Sequence, residues 1–572
     1  MKLSNYFRAQ KDFARKRKIG ESEIAMAGQI LKDYKEAKSA LEERIVENEE
    51  WWKLRHKSAG KDADKNKNSG STSAWLFSVL INKHADAIDS FPEASVLPRE
   101  KNDTAEAKKL SAILPAIMER NNFEEIYSGN WWYKLKHGAC AYGVFWNSEL
   151  ENGLGDIQIK RIDLLNIFWE PGITDIQKSR NLFVVSLRDR DILECEYPFI
   201  RGKEIGNTID IKQYIYDNSV DTSNKVLVID WYYKVRNSDG RTLLHYCKFA
   251  GENVLFASEN LEEYAENGWY DHGEYPIVLD SLFPEEGTPA GFGFVAVSKN
   301  PQMYIDKLND AILENTLMAS KPRYFAKISA GVNETEFLDW SRPIVHVEGD
   351  INEERLRPIS VSQLPPASLE ILRMKIEELK ETSSNTEFNR GKAANGVTAA
   401  SAIAALQEAG SKVSRDMLKA TYRAYTKINY FCIELIRQFY TEIRSFRITG
   451  EDGGYGFADY SNANIRTVKE SSGRCRKSVF DIAVKTQKKS PYSRLAQNEL
   501  AKELFNIGFF NPENATQSLN ALEIMDFDGK NAIEAKIREN ISLMKEDEEN
   551  DQSNSIAAQE LLFPQSKEKS AF

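Results

Sequence analysis

The chain has 572 residues, with 76 Lys and Arg against 86 Asp and Glu and a formal net charge of −10. Apolar residues make up 41% and charged residues 28%, which excludes a disordered or collagen-like chain, and the length suggests about four domains. The longest apolar stretch, Gly138–Trp146, falls far short of the ~20 residues that cross a bilayer, and Met1–Arg8 lack a signal-peptide core, so a cytosolic assembly is expected.

Residues 1–20 are basic at Arg15-Lys16-Arg17-Lys18. This cluster suits nucleic acid or an acidic partner; a solvated arm is the favoured reading. Ile24, Ile30, Leu31, Tyr34, Leu41 and Ile45 recur at near-helical intervals and predict a helix over 21–55. Lys61–Ser73 is a polar linker. Ala74–Ile88 and Asp103–Asn121 read as helices divided by a segment carrying Pro92 and Pro98, and Trp131–Trp146 reads as buried. The period then changes to two. Ile157 and Ile159 alternate with Gln158 and Lys160, Phe183–Leu187 and Val226–Val235 are strand-like, and Asn237–Gly240 and Ala250–Asn253 are turn signals. A meander of roughly six short strands is expected.

After Gly291–Gly293 the helical period returns. Met303, Ile305, Leu308, Ile312, Leu313 and Leu317 mark a helix ending before Pro322. A short α/β insert follows, with strands at Tyr324–Ile328 and Pro343–Val347 and helical turns at Glu334–Trp340. Pro365-Pro366 opens another helix to about Lys380, and Thr382–Asn395 is a polar loop. Over Val397–Glu442, residues Leu406, Val413, Met417, Ala420, Ala424, Ile428, Phe431, Leu435 and Phe439 follow steps of three, four and seven. A continuous helix of ~45 residues would run roughly 65 Å. Gly410-Ser411 supplies a cause for a kink. A stripe that long is expected to cross domains or to find its cover on neighbouring subunits. Arg444–Ile448 and Val479–Thr486 return to strand, Ser493–Phe505 and Ala515–Lys545 are helical, and Glu546–Asp551 opens an acidic, polar tail.

No catalytic signature emerges. None of the four Gly-Lys pairs (Gly60, Gly202, Gly391, Gly529) is followed by Ser or Thr, so no nucleotide loop is present. Gly291-Phe-Gly293 reads as a loop needing backbone freedom. The histidines at 56, 84, 137, 245, 272 and 346 show no i,i+4 pair, and Asp271-His272 reads as a surface loop rather than a metal site. Cysteines 140, 195, 247, 432 and 475 form no CxxC pair, which suits a reducing compartment without disulfides or zinc. Asp156-Ile-Gln-Ile-Lys160 has Gln where a nuclease needs a carboxylate, and Asp189 and Asp191 read as solvated loop charges. No cofactor and no metal are expected.

Three segments carry a resemblance. They are Trp131-Trp-Tyr-Lys-Leu-Lys-His-Gly-Ala-Cys-Ala-Tyr-Gly143, Asp163-Leu-Leu-Asn-Ile-Phe-Trp-Glu-Pro171 with its continuation to Ile176, and Val397-Thr-Ala-Ala-Ser-Ala-Ile-Ala-Ala-Leu-Gln-Glu-Ala-Gly-Ser411. With the order of elements over roughly 70–545, they make the chain resemble the portal proteins of tailed bacteriophages. The resemblance implies an α+β, mainly helical fold assembled as a ring of twelve copies. It implies an N-terminal arm, helix and linker (1–73), a wing of helices and β-meander (74–295), a first stem helix (296–320), a clip (321–364), a second stem helix (365–381), a tunnel loop (382–396), a long kinked helix returning to the wing (397–492), crown helices (493–545) and a flexible tail (546–572).

The function so implied is a channel at one capsid vertex through which double-stranded DNA is packaged and ejected, in a virion assembled in the bacterial cytoplasm, with no enzyme activity. Implied partners are the terminase large subunit, a head–tail adaptor, the major capsid and scaffolding proteins, and no membrane. Glu387, Asn389, Arg390 and Lys392 would face DNA in the tunnel loop, or merely solvate that loop. Glu334, Glu336, Asp339 and Arg342 would meet the motor or adaptor, and Gly410 and Ser411 would kink the long helix. The net acidic composition suits a conduit better than a tight binder of DNA, because phosphate binding needs basic surface. A helical scaffold or tail-structural protein and a DNA-processing enzyme are the alternatives.

Overall fold

In the computed structural model the described residues are 19–55, 72–215, 222–237, 240–320, 323–326, 333–339, 344, 346, 356–359, 364–383, 412–449, 455–466, 468–469, 475–488, 501–509, 511, 514–524, 533–534, 536–539 and 541. They form two compact units, Met1–Thr486 and Gln487–Phe572. Helix α1 (Glu21–Trp52) turns Ile24, Ala27, Leu31, Lys38 and Ile45 inward at steps of three, four and seven. Next come α2 (Trp75–Ile88), β1 (Ser90–Pro98), α3 (Thr104–Arg120), α4 (Phe123–His137) and β2 (Ala139–Asn147). The segment with Pro92 and Pro98, expected only as a divider, is thus a strand. Helix α4 then leads into β2.

Strands β3 (Asp156–Ile162), β4 (Ile167–Trp169) and β5 (Asn181–Asp189) precede the short helix α5 (Arg190–Glu196). Strands β6 (Lys225–Arg236), β7 (Thr242–Ala250) and β8 (Asn253–Ala257), the turn α6 (Glu262–Ala265), and strands β9 (Ile277–Ser281), β10 (Phe283–Glu285) and β11 (Thr288–Phe292) complete this part. The expected single meander divides. One sheet is the antiparallel meander β4-β5-β6-β7-β8, and a second has the order β3-β2-β9. The meander buries both faces: Phe183, Val185, Leu227, Ile229 and Trp231 pack with Ile24 and Leu31 of α1, while Val226, Val228, Ala250 and Leu255 pack with Leu193 and Ile200. At the rim of this sheet, buried Lys38 of α1 donates to the carbonyls of Leu164 and Ile167. Burial pushes its ammonium down to about 8.

Helix α7 (Phe294–Ser320), β12 (Arg323–Ala326), α8 (Glu334–Leu338), β13 (Leu356–Ile359) and α9 (Pro366–Thr382) follow. Two glycines fix the root of α7. Gly138 ends α4 at φ +100°, and a Cβ there would lie 2.4 Å from the backbone of Phe292. A Cβ on Gly293 would lie 2.6 Å from the carbonyl oxygen of Leu135. The last turn of α4 and the start of α7 therefore meet backbone to backbone, which only glycine permits.

The long helix requires a correction. Its described part is α10 (Lys412–Phe439); Val397–Ser411 lie outside the described residues. Its apolar stripe does not wait for neighbouring subunits. Met417, Ala424, Ile428, Phe431, Leu435 and Ile436 are buried within the same chain, in one core with Leu110, Tyr142, Val144 and Ile277. The cover comes from the sheets and the N-terminal helices of the same compact unit, so length alone did not demand a second copy.

Strands β14 (Arg444–Thr449), β15 (Tyr455–Tyr460), β16 (Val468–Lys469), β17 (Cys475–Arg476) and β18 (Phe480–Lys488) close the first unit. β14 and β15 form a hairpin, and β18 pairs with β1. In the second unit 501–506 are helical, and α11 (Ala515–Ile524) buries Ala515 and Leu522 with Ile537.

Candidate functional site

Helices α7 and α9 form an antiparallel pair with the insert 321–365 between them. Ile305 near the start of α7 and Leu379 near the end of α9 lie in the same buried core. Farther out, Lys375 of α9 and Lys307 of α7 both approach the ring of Tyr304, at 5.8 and 5.9 Å. Polar groups fasten the root of the pair. Gln302 and Asp306 are fully buried on α7, and Asp306 Oδ1 accepts hydrogen bonds from the Ser73 amide (3.0 Å) and hydroxyl (2.8 Å). Gln302 Oε1 accepts from the Leu76 amide at 3.1 Å. The unsatisfied N–H groups at the start of α2 are thus capped by side chains of α7. Sequence reasoning missed both residues. Their signal is two polar side chains one turn apart on the stripe that otherwise holds Val295 and Ile305.

Beyond Asp306 no residue of α7 is buried, and on α9 only Leu379 is. Tyr304, Leu313, Leu317, Met318, Leu369 and Met374 are 44–62% exposed. Both helices keep their helical period while their apolar residues remain open, a sign of a surface made to be covered.

In the insert, β12 and β13 pair antiparallel, Arg323 opposite Ile359 and Ala326 opposite Leu356. The partner strand is therefore Leu356–Ile359, not the expected Pro343–Val347, whose described members Ile344 and His346 lie outside any strand. Asn333 caps α8 through its side chain. Glu336 accepts from the His346 amide and from its Nδ1, both at 2.9 Å. Asp339 follows the end of α8, and its amide bonds the Glu336 carbonyl at 3.3 Å. Glu334 begins α8. Arg342, the loop residues Glu387, Asn389, Arg390 and Lys392, and Gly410 and Ser411 lie outside the described residues, as does Arg15–Lys18.

No metal chemistry is assembled among the described residues: no group of three His, Cys, Asp or Glu is placed to hold an ion. Asp271-His272 is not a simple surface loop. The imidazole of His272 packs between Tyr270 and Phe431, with ring centroids at 5.3 and 4.8 Å, and burial pushes it down to about 3. Asp156 is likewise structural, accepting from Tyr440 at 2.6 Å and from Arg120 at 3.3 Å. An open cleft of about 730 Å³ is lined by Ile88, Asn122, Glu124, Glu125, Ser128, Gly129 and Trp132, with none of the described expected site residues among them. No described helix is long and apolar enough to cross a membrane.

The sequence matches the family described as phage P22-like portal protein over residues 85–280 and 287–569. The chain belongs to that family. The match spans most of the chain, including both sheets, the helix pair with its insert, α10 and the second unit. No curated protein matches the sequence significantly. Membership makes this a phage portal protein, a structural component, with the α+β architecture seen here.

Proposed function

We propose that this portal protein assembles as a ring of twelve copies at one capsid vertex, and that double-stranded DNA enters through the ring during packaging and leaves through it on ejection. The observation that carries the reading, beside family membership, is the open apolar surface of α7 and α9. An isolated chain has no use for Leu313, Leu317, Leu369 and Met374 at a helix surface; a ring covers them with the next subunit. In this reading α7 and α9 are the stem and 321–364 is the clip. Glu334, Glu336, Asp339 and Arg342 of the clip meet the terminase large subunit and later the head–tail adaptor. The wing faces major capsid and scaffolding proteins, and assembly takes place in the bacterial cytoplasm.

The loop 382–396 supplies rings of like charge at the constriction. Glu387, Arg390 and Lys392 repeat around the axis as those rings, with neutral Asn389 among them, and the cationic members make weak, sequence-independent phosphate contacts. A net charge of −10 per subunit multiplies around the ring, so DNA does not adhere along the channel.

The test is imaging and mass measurement of the purified protein over a range of salt. Rings with a central hole are expected. Leu317→Glu with Met374→Glu is expected to leave the monomer folded and reduce ring formation. Monomers alone under every condition overturn the reading.

A further inference from the structure

Among the polar contacts of helix α10 with the rest of the first unit, which include Tyr422 to the Ser90 carbonyl and Lys427 to Glu274, two share one design. At Ser414 the hydroxyl accepts from Lys83 Nζ at 3.3 Å and donates to Asp86 Oδ2 at 3.0 Å. At Thr421 the hydroxyl accepts from Lys134 Nζ at 2.7 Å and donates to Asp280 Oδ2 at 2.8 Å. In both, a hydroxyl on α10 sits between a lysine and an aspartate that belong to other elements: α2 supplies Lys83 and Asp86, α4 supplies Lys134, and β9 supplies Asp280. Ser414, Thr421, Lys83, Lys134 and Asp280 are all buried. The two hydroxyls are seven residues apart, two turns or roughly 10 Å along one face.

We infer that Ser414 and Thr421 are paired latches that hold α10 in one axial register. An apolar seam alone is a poor guard against sliding, because Met417, Leu418 and Ala424 can exchange one apolar neighbour for another at small loss. A hydroxyl between a cation and an anion cannot. Its single proton must point to the aspartate and a lone pair to the lysine. A shift of one helical step empties both sites at once and leaves Lys83 and Asp86 without their shared bridge. Thr421 adds a second bond to a lysine and an aspartate that also pair directly with each other at 2.7 Å. Under the portal reading, on which this consequence rests, load entering through the chain that leads to Ser414 passes into α2, α4 and β9 instead of being absorbed by movement of α10.

The test is amide hydrogen exchange on the full-length chain, compared for Thr421→Val and Thr421→Ser. Valine keeps the shape and removes the hydroxyl; serine keeps the hydroxyl. The expected result is about tenfold faster exchange in α10 for Thr421→Val, with the β4–β8 meander unchanged and Thr421→Ser within about twofold of the parent. Equal protection in Thr421→Val and the parent, or equal loss in Thr421→Val and Thr421→Ser, overturns the inference. Should Thr421→Val not fold, Ser414→Ala decides: faster exchange in the first turns of α10 supports the latch, and unchanged exchange overturns it. The readout needs no ring, so failure to form rings counts against the proposed function and leaves the latch standing.

Discussion

Lys134 and Asp280 form an ion pair of 2.7 Å whose side chains are 1% and 2% exposed. The ammonium also lies 4.7 Å from the centre of the Trp131 ring. The pair joins α4 to β9 directly beneath α10. Breaking a buried pair strands a charge, whereas replacing both partners with apolar groups can be nearly neutral.

Lys134→Met and Asp280→Leu should therefore each lower stability by about 3–5 kcal/mol. The double replacement Lys134→Met with Asp280→Leu should cost less than the sum of the single changes. Urea denaturation of the four proteins checks this; additive losses would show that the two side chains act separately.

Gly138→Ala places a side chain at φ +100° against the Phe292 backbone. Left-handed backbone alone costs ~1–2 kcal/mol for a non-glycine residue, and the clash adds to it. The expected outcome is a loss above about 2 kcal/mol, or insoluble protein, while Gly172→Ala, with open space around its Cβ, loses less. Equal thermal stability of the two variants would refute a tight joint at the root of α7.

His272 is held neutral in the fold, its imidazole lowered by burial from 6.5 to about 3. A depressed histidine means that the unfolded chain takes up the proton first as pH falls. Its contribution is full above pH 6.5 and is lost progressively from 6.5 down to about 3. His272→Phe should flatten the fall in denaturation midpoint between about pH 6.5 and 5, a window above the range in which carboxylates titrate. An unchanged slope would mean that His272 is protonated in the fold.

Arg390→Ala with Lys392→Ala should leave rings intact and change how much DNA heads take up or retain. Unfolded protein would mean that these residues hold structure, and normal packaging would remove them from the DNA path.

Helices were legible wherever one face is buried. Ile24, Leu31 and Ile45 announce α1, and the steps from Met417 to Phe439 announce α10. Helix α4 lacks a stripe of its own because Phe123, Tyr127, Asn130, Trp131, Lys134 and Leu135 are buried on several sides. β1 was hidden by Pro92 and Pro98, residues tolerated at strand ends and edges. The division of the meander into two sheets depends on pairing between β2 and β9, more than a hundred residues apart, and no local pattern specifies such a partner. The polar fastenings were illegible for the same reason. A lone Lys134 or Asp306 looks like a solvated charge until its distant partner is known. The stripe of α10 was expected to cross domains or to find its cover on neighbouring subunits; its described part is covered within its own unit, because a periodicity shows that a face is covered, not by what.

The pairing of β1 with β18 bears on how the chain is made. Ser90 and Phe480 are about 390 positions apart. At a synthesis rate of ~5–20 residues per second, β1 waits roughly 20–80 s on the ribosome before its partner exists. For that interval an edge strand stands open to mispairing with other nascent copies. Any truncation that stops before Phe480 would make the wait permanent, so production of soluble protein should fall off sharply at that boundary in a series of C-terminal deletions.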